Sequence, residues 1–170
     1  ESDSLRTEPH LPDQKCGSHD IRIEGDIIFL TIHGVVTERD LQTIIQMGNA
    51  IADRHPGYWI LGDVNDMTSM DPAARRLAAV NPRLTAFRGA ALLGASTVHR
   101  ILISLVVRAM HLLGTTHVQM GFVASREEGL CWLAQHKAKD LAAISSFLSQ
   151  SHSARSALGN VARFMAGWPD

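Results

Sequence analysis

The apolar and polar positions change their period several times along the chain, and each change marks an element. From Asp20, "IRIEGDIIFLTIHG" holds two short β-rich runs around Gly25-Asp26, which predicts a hairpin. Ile21 and Ile23 alternate with Arg22 and Glu24, so the first strand buries one face only. The next segment, "VTERDLQTIIQMGNAIADRHPG", switches to helical spacing. Leu41, Ile44, Ile45, Gly48 and Ile51 recur three or four apart, as on a helix with one buried side. Thr37 stands at its N-cap with Asp40 in the first turn, and Pro56-Gly57 supplies the stop.

"YWILGDV" is a continuous apolar run too short for a helix, which predicts a central strand. A helix through Ala79, with a kink at Pro82, comes after it. Then follow a buried strand "GAALLGAS", a helix "TVHRILISLVVRAMHLLG", a strand "HVQMGFVAS" and a helix "REEGLCWLAQHKA" capped by Ser125. Strands alternating with helices after an initial hairpin predict an α/β domain with a mixed sheet flanked by helices. Residues 1–18 are polar and aperiodic with two prolines, so they read as a flexible N-terminal arm. The domain proper is expected over 19–137. A helical extension over 138–170 carries Leu141, Ile144, Leu148, Leu158, Val161 and Met165, and the serine-rich "SQSHS" is expected to break it in two.

Composition narrows the function classes. A chain of 170 residues suits one domain with a sizeable core. The net charge of -1, with both signs interspersed, points away from nucleic acid and from a polybasic membrane arm. Two cysteines, Cys16 and Cys131, lie far apart without a CxxC partner, which argues against zinc or a disulfide framework and fits a reducing cytoplasm. No apolar run reaches the length of a transmembrane segment. The chain opens on Glu1 rather than Met, which leaves room for a removed leader, and none is visible.

Nine histidines raise the question of a metal, yet none falls in HExxH or an equivalent ligand spacing. No GxSxG elbow, P-loop or GxGxxG occurs either. The chain is therefore read as no enzyme, with no metal and no cofactor, although triads built from distant residues leave no local signature.

Two segments carry the candidate chemistry. In "DVNDMTSMDPAARR", Asp71 is an N-cap, Pro72 takes the first helical position and Arg75 lies one turn in. Thr68 and Ser69 precede that cap, on a loop expected at the C-terminal end of a central strand, where open α/β sheets place binding sites. Asp63, Asp66, Thr68, Ser69, Asp71 and Arg75 thus form a candidate recognition loop, and the plain alternative is a well-capped turn. The second segment is the helix from Thr97 to Leu113. Arg100, Ser104, Arg108 and His111 form a narrow polar stripe, while Ile101, Leu102, Leu105, Val106, Met110 and Leu113 belong to an apolar surface too wide for one sheet contact. Its cover is expected from the chain's own tail, a second copy, an apolar ligand or a membrane surface.

The order of hairpin, helix, "ILGDV", a DP-started helix, "ALLGAS", "RILISLVVRAMHLLG" and "GFVASREEGLCWLAQH" resembles the STAS-like family. In particular it resembles the bacterial branch grouped with STAS and CRAL-TRIO domains and related to anti-sigma-factor antagonists. The resemblance spans about 19–136 and implies a four- to five-stranded mixed sheet. It also implies roles in protein–protein regulation or in binding small apolar ligands. Antagonist members carry a phosphorylated serine at the start of the helix after the third strand. Those positions fall here on Pro72 and Ala73, so that hydroxyl is missing. The expected function is a cytoplasmic, non-catalytic regulatory module acting through protein contacts, a possible homodimer. The alternative is a carrier or sensor of a small apolar, lipid-like ligand held between the sheet and the 97–113 helix.

Overall fold

The computed structural model describes residues 14–80, 86–112 and 118–165. Its elements run β1 (Gln14–Cys16), β2 (His19–Glu24), β3 (Ile27–Val36), α1 (Glu38–Ala52), β4 (Tyr58–Met70), α2 (Pro72–Val80), β5 (Phe87–Leu93), α3 (Thr97–Leu112), β6 (Gln119–Val123) and α4 (Arg126–Met165). Six strands form one mixed sheet in the order β1-β2-β3-β4-β5-β6. The first three are antiparallel neighbours, and β3 to β6 are parallel.

That order decides where the helices go. Each parallel strand is added beside the previous one in the same direction, and right-handed crossovers then place α1, α2 and α3 on one face. Ile28, Leu30 and Ile32 of β3, Ile60 and Val64 of β4, and Ala90 and Leu92 of β5 belong to the core on that face. Trp59 and Leu61 alternate onto the other face, where they cluster with Ala91, Val123 and Leu133 of α4. Trp132 of α4 meets Trp59 edge-on at 6.4 Å.

The α/β class and mixed sheet are as the pattern predicts, and the strand count is larger by one. The added strand is β1, whose Gln14, Lys15 and Cys16 pair with Ile21, Asp20 and His19. Its three residues lie within the expected arm and are too few to show a period. A two-residue turn at Gly17-Ser18 closes the pair, with Gly17 at φ 61°. The rest of the arm, 1–13, lies outside the described residues, as do the kink at Pro82, Leu113 and Trp168. The break expected at "SQSHS" is absent, because α4 runs unbroken for 40 residues. Serine is only a moderate helix former and does not remove a backbone donor as proline does, so a serine cluster is no stop. Two compact units divide the chain at Leu133 and Ala134, and the described part of the second is the remainder of α4.

A knot of polar groups joins the β1–β2 turn to the start of α1. Thr37 and Asp40 form a capping box: Asp40 N–H donates to Thr37 Oγ1 at 3.3 Å, while Asp40 Oδ2 accepts from Thr37 N–H at 2.9 Å and from its hydroxyl at 2.6 Å. His19, fully buried, has its Nδ1 accepting from His33 N–H at 3.1 Å and its Nε2 at 3.4 Å from Asp40 Oδ2. The Cys16 thiol lies 3.5 Å from the Asp40 carbonyl oxygen. Burial pushes that thiol up from its ordinary pKa, so it stays protonated and is a poor nucleophile. The Cys-His-Asp grouping therefore reads as a clasp.

Burial opposes ionisation of Asp40, but the Thr37 hydroxyl and amide, then His19, outweigh it and hold the carboxyl below its usual value. A lowered folded pKa contributes stability above the unfolded value of about 3.9, and that stability is lost as pH falls through the folded value. Urea unfolding midpoints should therefore drop as pH falls below about 4. Asp40→Asn should flatten that drop, and a parent and variant with parallel acid profiles would show that Asp40 contributes nothing.

Candidate functional site

An apolar space lies between the sheet and the three crossover helices. It is a cavity of about 160 Å³. Leu30 and Ile32 of β3, Ile60 of β4, Ala90 of β5 and Met120 of β6 form its floor. Ile44 and Ile45 of α1, Ala78 of α2, and Leu102, Ile103 and Val106 of α3 form its roof. The helical period of α1 and α3 brings these roof residues to one side, and the strand period brings the floor residues to one face. Tyr58 closes one wall, stacked on Phe87 at 5.4 Å between centroids and 29° between planes. Gly48 makes room for that ring, since a methyl there would overlap Tyr58 Cζ.

The apolar helix of the sequence pattern divides between two sides. Met110 is buried, Leu102 and Val106 are half-buried, and all three line the cavity. Val98, Ile101, Leu105 and Leu112 are exposed by 72%, 59%, 56% and 88%. Their spacing of three, four and seven puts them on one outer stripe. Arg100 does not simply point into solvent: its Nε donates to the Ala95 carbonyl at 3.0 Å and its guanidinium lies 5.4 Å from the Phe122 ring centroid. Arg108 is exposed, and His111 Nε2 lies 3.2 Å from the Val118 carbonyl oxygen.

The expected recognition loop is a strand. β4 continues through Thr68 and Ser69 to Met70, paired with Val35 and Val36 of β3. Register shifts between Thr31 and His33 and between Gly34 and Val35 give β4 two extra residues, so the alternation that identifies a strand is broken there. Thr68 and Ser69 are exposed.

The polar residues of this segment fall into three hydrogen-bonding groups. Asp63 Oδ1 accepts from the Asn65 backbone at 3.0 Å and its side chain at 2.8 Å. Asp66 Oδ2 lies 3.3 Å from His33 Nδ1, while His33 Nε2 lies 3.1 Å from Asp20 Oδ2. The Asp20 contact, aided by Asp66 and opposed by desolvation, raises the His33 pKa above its ordinary value. This clip across β2, β3 and β4 has no signature in the sequence, since its residues come from three strands. Asp71 caps α2 through Ala74 N–H at 2.6 Å, and its other oxygen accepts from Glu38 N–H of α1 at 3.3 Å. Arg75 is half-buried one turn into α2.

On the opposite face, Arg22 and Arg126 lie 4.7 and 5.0 Å from the Phe29 ring centroid, beside clefts that Thr31 also lines. Among the described residues, no three His, Cys, Asp or Glu side chains are grouped to hold a metal ion. No helix of the described residues is long and apolar enough to cross a membrane.

No family model and no curated protein matches the chain. Solved structures do. The anti-sigma factor antagonist SpoIIAA in its unphosphorylated form is similar at 12% identity and a TM-score of 0.47, over 69% of this chain and 98% of that one. An uncharacterized DUF3478-family protein with a SpoIIAA-like fold, from Shewanella loihica PV-4, is similar at 14% identity and a TM-score of 0.45, over 68% of this chain and 92% of that one. These likenesses say nothing of its activity.

Asp71 bonds two helix starts with two oxygens, so its substitutions should separate. Asp71→Ala should lower stability by about 1–2 kcal/mol. Asp71→Asn keeps one accepting oxygen and turns an amide toward the other N–H, so its loss should be smaller, measured by urea unfolding. Equal losses for both would place the role in the charge rather than in the two caps.

Proposed function

We propose that this protein is a non-catalytic binding module that takes up a small apolar molecule between the sheet and α1–α3. The cavity of about 160 Å³ carries this reading. Interiors pack to crystal density, and apolar space left unfilled costs the contacts its walls would otherwise make. An occupant that fits would offset that cost. Among the described residues the lining has no carboxylate, amine or imidazole, which fits uptake and not turnover.

A regulatory role follows from α3, which lines the cavity on one side and bares aliphatic residues on the other. Burying each of these is worth about 1.5–3 kcal/mol, so the outer stripe is a surface for a protein partner, including a second copy. Filling the cavity would steady α3 and with it the surface offered. Both cysteines are free, which fits the reducing cytoplasm proposed as its location. The phosphorylation switch of the antagonists has no place in this reading, because Pro72 and Ala73 stand at those positions.

Protein purified from its own host should show an apolar adduct by native mass spectrometry, and stripping it should lower the melting temperature. Ala90→Leu, which fills the floor, should abolish the adduct without lowering the melting temperature of the stripped protein. An adduct that persists in Ala90→Leu would place binding elsewhere.

Self-association or partner capture should depend on the outer stripe. Ile101→Asp with Leu105→Asp should give a monomer in light scattering with the adduct retained. An unchanged oligomer would remove the stripe from the interface.

A further inference from the structure

The exposed side chains of α3 have more order than an apolar patch requires. Val98, Ile101, Leu105 and Leu112 follow an alternating three-four spacing with one gap, and Arg108 fills the gap. That is the spacing of the seam along which two helices meet side by side. Ile103 and Met110, the buried residues of α3, lie on the opposite side of the helix, so the seam points away from the core.

Arg108 sets what can lie on this seam. It is exposed, in line with Ile101 and between Leu105 and Leu112 along the axis. Among the described residues no carboxylate pairs with it. Neither α3 nor the adjoining α2 contains an aspartate or glutamate. A second copy laid along the seam therefore brings Arg108 no counter-ion. In a parallel pair Arg108 would face its own counterpart, and in an antiparallel pair it would face an aliphatic residue. Either way a guanidinium would lose water without gaining a partner, which is strongly unfavourable. A bilayer fits no better, since interfacial helices keep their cations on the polar flank and this one stands within the apolar stripe.

We propose that α3 docks a helix of another protein, one with aliphatic residues at the same alternating spacing and a carboxylate facing Arg108. This rests on the reading of the outer stripe as a protein-partner surface and specifies the partner. The aliphatic residues supply affinity. The ion pair fixes the register and rejects a helix with a lysine in that place.

Titration calorimetry on the full chain tests this with two synthetic helical peptides. They match α3 in length, carry leucine along one seam and differ at one central seam position, glutamate or lysine. The glutamate peptide should bind the parent at least about tenfold more tightly than the lysine peptide. Arg108→Glu should reverse that order and Arg108→Gln should erase it. Arg76→Glu, at an exposed position of α2, should leave it as in the parent. If the two peptides bind the parent alike, or Arg76→Glu shifts the order as Arg108→Glu does, no carboxylate seats on Arg108 and the proposal fails. If Ile101→Asp with Leu105→Asp dissolves an oligomer of the parent alone, the occupant is a second copy; the stripe reading then stands and the partner class is wrong. If the parent sediments with phosphatidylserine vesicles and that double variant does not, the stripe meets a membrane and the proposal fails. If neither peptide binds and the double variant changes nothing, the stripe reading itself fails.

Discussion

The handedness of three parallel crossovers governs this molecule. Because β4, β5 and β6 are each laid beside their predecessor in one direction, α1, α2 and α3 have no alternative but the same face. The other face is left to α4, through Trp132 and Leu133 against Trp59, Leu61 and Val123. The two faces consequently differ in kind. One is roofed by three helices and holds an apolar cavity; the other carries the Phe29 ring between two arginines and the His33 clip.

The cavity is a result of how side chains of unequal size meet beneath that roof. Ala78 and Ala90 are small where larger residues would close the space, and Gly48 leaves room for the Tyr58 ring. α3 is the element most exposed to the consequences. Its inner residues have fewer neighbours than a packed core supplies, and its outer residues Ile101 and Leu105 lie in water. Its ends are held by polar contacts: Arg100 bonds the Ala95 carbonyl and His111 lies against that of Val118. An occupant would supply the missing contacts along the middle of the helix.

Polar groups do a different job. Asp40, His19 and Cys16 tie the edge pair β1–β2 to α1, and Asp71 ties α1 to α2. These ties hold the rim of the sheet, while the cavity lining carries no charged side chain among the described residues. Charge kept at the rim has a physical basis, since an ion in the apolar interior would need a partner that the lining does not contain.

Much of the fold was legible in the chain itself. The Thr37-Asp40 box, the Asp71-Pro72 start, the Gly25-Asp26 hairpin and the helical repeats of α1 and α3 all act within a few residues, so a short window contains both partners of each interaction. The site was less so. Leu102, Val106 and Met110 were legible as apolar but not as cavity lining, because core and cavity wall have the same composition. Asp63 to Ser69 looked like a loop because two bulges erased the strand period, and bulges are set by the partner strand. Sequence alone thus determined which segments coil or extend and which faces seek cover, since local hydrogen bonding and periodic burial are properties of neighbouring residues. Only the tertiary structure decided the register of β4, the second bond of Asp71, the three-strand clip at His33 and the cavity, since each depends on small distances between segments remote in the chain.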